Sequence, residues 1–267
     1  MIRKARFPNL LMIAGIVVAI DRVTKSWFLH NFQLGETRHA LAFLYFTLVQ
    51  NTGTAFGLMQ DSNRLLLAVS YMFMNYTFYL LSYWVFLYLV QERKFSLLES
   101  GWLAAAPPLA AAIGAGIGGV ATAACCKRFG ARWGFRLVPL AAMPLAGGLL
   151  LLAVNATNPY LAVVALATCF GCVELTEGAF WGAGMTVGRG DTMSVCGFMN
   201  TGGNLGGIIS IPIVAYFSGQ HLWFTAFLIG TGFALVSALA WLGIDVAAPV
   251  DHGALPVGAD TGTAGAY

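Results

Sequence analysis

Leu65–Gln91, LLLAVSYMFMNYTFYLLSYWVFLYLVQ, is a stretch without a single charged residue. As a helix rising 1.5 Å per residue it would reach about 40 Å, more than the roughly 30 Å hydrocarbon core of a bilayer. The rest of the chain repeats the pattern. Of 267 residues 58% are hydrophobic and 9% charged, against about 25% charged in an ordinary soluble domain. Its solvent is therefore lipid. The net charge of +3 is small and sits in short loops, which excludes nucleic acid as a partner and reads instead as a topology signal.

Working outward, seven apolar segments can be marked, at 7–29, 65–91, 101–126, 135–153, 159–186, 194–217 and 221–243. Short polar connections such as NATNP (155–159) and SGQH (218–221) imply antiparallel neighbours. The expectation is an all-α integral membrane protein of about seven transmembrane helices. The exception is the polar and aromatic connection 30–64, with a short β-containing loop expected at 38–58. Past residue 245 the chain is rich in Ala, Gly and Pro and is expected to be a disordered tail, 246–267. Charge placement carries a conflict. With Met1 cytoplasmic and every segment spanning, five Lys/Arg (Arg3, Lys4, Arg6, Arg93, Lys94) fall inside and nine of the 14 outside. The positive-inside rule favours the reverse.

The five cysteines, Cys125, Cys126, Cys169, Cys172 and Cys196, lie in or beside apolar runs and read as packing residues. His30, His39, His221 and His252 have no ligand spacing. No metal or cofactor is expected.

Polar residues inside apolar helices are costly and tend to serve function. Glu174 and Glu177, spaced i,i+3, are the carboxylates inside apolar segments past residue 100, and are candidates for proton coupling or substrate contact. Asn200 and Asn204 share a face in a glycine-rich helix, and Asn75 with Tyr76 lies in the opening stretch. The plainer alternative for the asparagines is helix adhesion. Trp181 reads first as an interfacial ring, and Pro212 as a kink.

Two resemblances follow from motifs. YMFMNYTFYLLSYWVFLYL (71–89), VELTEGAFWGAGM (173–185) and GFMNTGGNLGGIISIPIVAYF (197–217) resemble the C-terminal six-helix half of a major facilitator superfamily transporter, closest to the anion:cation symporter group. This implies a half bundle over 67–245, descent from a proton-coupled organic-anion symporter, and a small organic anion as ligand. Glu174, Glu177, Asn75, Asn200 and Asn204 would be its substrate and proton-coupling residues. Because one half is missing, a homodimer or a second six-helix half would be needed for transport. Lys127 stands where that superfamily's basic loop has an acid.

DRVTK (21–25) and NTGTAFGLM (51–59) resemble the N-terminal part of lipoprotein signal peptidase, signal peptidase II, over residues 1–66. The matching residues are Asp21, Lys25, Asn51 and Gly53. That family is an intramembrane aspartic endopeptidase, and the chemistry needs two facing aspartates. Past residue 66 the aspartates are Asp191, Asp245, Asp251 and Asp260, none in a matching motif. The expectation is therefore a transporter-type protein of a bacterial inner membrane, multi-pass and not an enzyme, with the peptidase as the alternative.

Overall fold

The computed structural model describes residues 7–33, 36–41, 44–47, 62–188 and 191–247. It divides into two units, Met1–Thr54 and Ala55–Tyr267.

The first unit is one helix followed by a hairpin. Helix α1, Phe7–Asn31, has 25 residues, and its last turn continues through a bond from Phe32 N to Phe28 O at 3.0 Å. A turn closed by Glu36 N donating to Gln33 O leads into β1, Thr37–Leu41. β1 pairs antiparallel with β2, Leu44–Thr47, with Thr37 opposite Thr47, Arg38 opposite Phe46 and a bulge between His39 and Leu41. The β structure expected at 38–58 is thus a hairpin over 37–47. The rest of that loop, with Asn51 and Gly53, lies outside the described residues, as does the expected disordered tail from residue 248 onward.

The second unit is helical: α2, Ser62–Gln91; α3, Leu97–Leu103; α4, Ala106–Asn155; α5, Pro159–Glu174; α6, Glu177–Gly188; α7, Thr192–Gly219; α8, Trp223–Gly243. Local chemistry sets several boundaries. Asn158 caps α5 by accepting from Tyr160 N at 2.9 Å, with Pro159 in the first turn, where its missing N–H costs nothing. The 50-residue α4 is two limbs, because Gly130 has φ +76° and ψ 168°, a conformation that a side chain would strain. The chain doubles back there, so closely that a Cβ on Gly134 would lie 2.3 Å from Cys126 Cα.

Seven spanning helices are not what the structure supports. Among the described residues four stretches are long and apolar enough to cross a membrane: Asn63–Gln91, Leu97–Asn155, Pro159–Gly188 and Trp223–Gly243. One of them, Leu97–Asn155, contains the fold-back at Gly130. Helix α7 falls short because Asn, Gly and Thr fill its middle. Multiple apolar spans make this a multi-pass membrane protein.

Glycine crossings hold the unit together. On α4, a Cβ at Gly114 would meet Gly171 O at 2.2 Å and one at Gly118 would meet Leu175 O at 2.0 Å. On α7, Gly202 and Gly206 sit against the carbonyls of Ala68 and Met72 on α2. Backbones this close pack by van der Waals contact, which replaces the hydrophobic effect between helices in lipid. Between the crossings lie buried aromatic and aliphatic side chains, among them Met74, Tyr88, Phe180, Phe227 and Trp241.

Polar residues tie the ends. Arg93, just past α2, donates from Nε to Tyr88 OH at 2.7 Å. Its guanidinium also donates to the carbonyls of Ala153 and Val154 in the last turn of α4, which have no intrahelical partner, and to that of Ala156, the residue after the helix. At the opposite end of α4's second limb, Arg132 pairs with Asp245, and Arg136 Nε donates to Ile244 O at 2.8 Å. Asn63 Oδ1 accepts from Asp245 N at 2.7 Å. Arg132 thus finds its acid in Asp245, after α8.

Candidate functional site

In the first unit the polar residues gather on and below the end of α1. Lys25 Nζ donates to Asp21 Oδ2 at 2.9 Å, one turn apart with the acid on the N-terminal side, and both side chains are exposed. Below them Trp27, Phe28 and Phe32 form a ring cluster, with centroids 5.0 to 6.0 Å apart. The Arg38 guanidinium lies 4.7 Å over the buried Phe32 ring and donates to Glu36 at 2.6 Å. Arg38 and the Gln33 amide N–H hold the Glu36 carboxyl below its ordinary pKa. The strand β1 is thereby fastened to the end of α1, so the helix motif and the hairpin form one compact structure.

In the second unit a polar track follows the seam of α2. Tyr71, Asn75, Tyr79 and Tyr83 recur every four residues, which keeps them near one face. Tyr71 OH donates to Glu177 Oε1 at 3.0 Å, and Trp181 stands beside it with ring centroids 6.3 Å apart. Asn75 is buried and donates to Tyr71 O at 3.0 Å. One turn further on, Tyr79 OH donates to Asn204 Oδ1 at 3.2 Å, and Tyr79 stacks on Tyr83 at 5.7 Å. Asn204 in turn donates to Asn200 O at 3.0 Å.

Several expected site residues are therefore brought together, though not as a single constellation. Glu177 and Asn75 meet through Tyr71, while Asn200 and Asn204 belong to the outer seam between α2 and α7. Glu174 and Glu177 do not share an unbroken helix. The turn at Leu175–Thr176 separates α5 from α6 at the point where Gly118 and Gly119 press against the backbone. Tyr76 faces away from the track. It is fully buried and stacked on Phe233 at 4.1 Å. Tyr71, Tyr79 and Tyr83 were not singled out from the sequence, though their four-residue recurrence through Asn75 was the available signal. Among the described residues no group of three His, Cys, Asp or Glu converges as a metal site would require.

Comparison with known proteins adds what geometry does not give. The family model for signal peptidase (SPase) II matches residues 13–126. Similar proteins include the lipoprotein signal peptidase of Chromobacterium violaceum, 37% identical over 57 residues, which are 21% of this chain and 35% of that protein. Another is that of Psychromonas ingrahamii, 33% identical over 75 residues, 27% of this chain and 43% of that protein. A third is that of Streptococcus pyogenes, 28% identical over 87 residues, 32% of this chain and 57% of that protein. The likeness is to a peptidase. The chain spans about a third to a little over half of the length of these relatives.

These findings correct the functional expectation. The transporter, symporter and major-facilitator reading gains no support, and the family that matches is a peptidase, so the expectation that the chain is not an enzyme is also overturned. The organic anion expected with transport loses its basis. The physical reason is that small residues and amides in apolar helices are common to helix packing in lipid in general. They specify a bundle and not an activity. The match also runs through α2, α3 and the first limb of α4, well past residue 66, where the sequence resemblance was taken to stop.

Proposed function

We propose that the chain acts on lipoprotein precursors at a bacterial inner membrane, as a signal peptidase II-type aspartic endopeptidase. One observation carries this reading: the family match over residues 13–126. It takes in Asp21 and Lys25 on α1, the hairpin, the Asn51 and Gly53 segment and the apolar helix α2. In this proposal the Asp21–Lys25 pair fixes the face of α1 beside the hairpin, and the Asn51–Gly53 segment contacts the precursor peptide.

Aspartic hydrolysis uses two carboxyl groups around one water, one protonated and one ionised. Asp21 is engaged by Lys25, and Asp245 by Arg132. Each therefore has a positioning partner already. The decisive experiment is cleavage of a diacylglyceryl-modified prolipoprotein by the purified full chain in lipid, followed by mass shift. Each of the six aspartates is then changed in turn to Asn. Cleavage by the wild type, abolished by Asn at two positions, establishes the activity and identifies the pair. No cleavage by the wild type sinks the proposal.

A further inference from the structure

We propose that Glu36 is a positioning residue for precursor cleavage, acting through the hairpin that it holds against the end of α1. The inference rests on the peptidase reading above, and it adds a side chain that lies in neither DRVTK nor NTGTAFGLM.

The hairpin is short, with five residues in β1 and four in β2, and it carries a bulge between His39 and Leu41. Two strands of that length are marginally stable alone in water. The direction in which the hairpin leaves the helix therefore has to be set from outside it. Glu36 sets it. The residue stands between α1 and β1, and its two carboxylate oxygens are gripped from the two sides of that joint. Oε2 accepts from the Gln33 amide N–H at 2.7 Å, just past the end of α1. Oε1 accepts at 2.6 Å from Nε of Arg38, the second residue of β1. Charge-assisted bonds of this kind are roughly twice as strong as neutral ones. The backbone closes the same turn, with Glu36 N donating to Gln33 O at 3.0 Å.

Arg38 carries the grip into a packed surface. Its guanidinium, turned by Glu36, lies 4.7 Å over the Phe32 ring, and Phe32 is itself buried, 5.0 Å from the Phe28 ring. A cation over a ring face is held there by the ring quadrupole. Glu36 thus orients Arg38, and Arg38 ties β1 to the rings at the end of α1. The consequence for the reaction follows from connectivity. DRVTK lies on α1, before the joint, and NTGTAFGLM follows the hairpin. β2 ends at Thr47, four residues before Asn51, a reach of about 14 Å at most. A hairpin free to swing would let the two motifs drift apart, and misplacing a binding group by about 1 Å can cost on the order of a hundredfold in rate.

The test compares full-length wild type, Glu36→Ala and Glu36→Gln in lipid, with a diacylglyceryl-modified prolipoprotein as substrate. Loss of the grip weakens placement of the precursor, so Glu36→Ala should raise KM about tenfold with kcat held within about twofold. Glu36→Gln keeps one acceptor oxygen and should raise KM by less. A merely structural role would lower the folded fraction, and with it the apparent kcat, at unchanged KM. Glu99→Ala, which removes the acceptor of Tyr160 OH in the second unit, should leave both constants as they are. Hydrogen exchange gives a readout that needs no activity: the amides of 37–47 should exchange faster in Glu36→Ala than in the wild type, while those of α2 should not. Cleavage by the wild type with KM unchanged in Glu36→Ala overturns the inference and leaves the peptidase reading standing. Hairpin exchange that ignores the substitution, or an equal rise of KM in Glu99→Ala, does the same. A wild type that does not cleave overturns both.

Discussion

Helix α1 and helix α4 are both glycine-containing apolar helices, but their glycines have different surroundings. A Cβ at Gly15 on α1 would meet nothing within 4 Å, whereas one at Gly118 on α4 would run into the Leu175 carbonyl. Along α1 the described side chains from Gly15 to Trp27 are exposed, and its order comes from its own hydrogen bonds and the ring cluster at its end. In the second unit, order comes from backbones in contact. The lesson is that apolar composition alone does not distinguish a helix held by neighbours from one that meets its surroundings directly. The depth of the glycine contacts does.

Substitution at these glycines should break the comparison most severely. Gly118→Leu should destabilise the bundle by about 3 kcal/mol, the upper range for overpacking, and Gly15→Leu should not. Urea or detergent-titration unfolding of the two proteins checks this, and equal loss in both would refute the assigned packing. Arg93→Ala comes next. It removes the donors that satisfy the last carbonyls of α4, with an expected cost of roughly 2 kcal/mol, typical of charged hydrogen bonds. Hydrogen exchange should rise at the end of α4 while α1 keeps its protection.

A smaller effect would sharpen the polar track. Tyr71→Phe deletes the hydrogen bond to Glu177, for which about 1 kcal/mol is expected within a membrane bundle. Glu177→Gln keeps an acceptor for Tyr71 OH and should cost less, measured as a difference in unfolding midpoint. The smallest effect belongs to the ion pair at the end of the bundle. Arg132 holds the Asp245 carboxyl below its ordinary pKa. The pair's contribution is thus present above the ordinary aspartate value, and it fades as pH falls through the lowered one. Exposed pairs are worth about 1 kcal/mol or less, so Asp245→Asn should narrow the stability gap between neutral and strongly acidic pH by that little. An unchanged pH profile would show that the pair contributes nothing measurable.

Much of the candidate site was legible before any coordinates. Glu174, Glu177, Asn75, Asn200 and Asn204 stand out because a polar group in an apolar run needs a reason. How they join was not legible. Tyr71 links Asn75 to Glu177 through one hydroxyl and one carbonyl, and which tyrosine faces which helix depends on the crossing of α2 with α6 and α7. The peptidase likeness was legible in a different place, in DRVTK and NTGTAFGLM, where side-chain type and spacing resemble those of that family. Helix motifs such as GFMNTGGNLGG pointed toward transport only because close packing in lipid favours the same small residues and amides whatever the task.

The sequence by itself determined that this chain belongs in a membrane, that a short β-containing loop follows its first helix, and that its beginning resembles a peptidase. Long uncharged runs, alternation and motif spacing are local properties, readable without knowing what touches what. Only the tertiary structure decided how many stretches qualify as spans, that α4 folds back at Gly130, and that Glu174 and Glu177 sit on two helices. Each of these depends on backbone approach between segments far apart in the chain, and no run of residues records that distance.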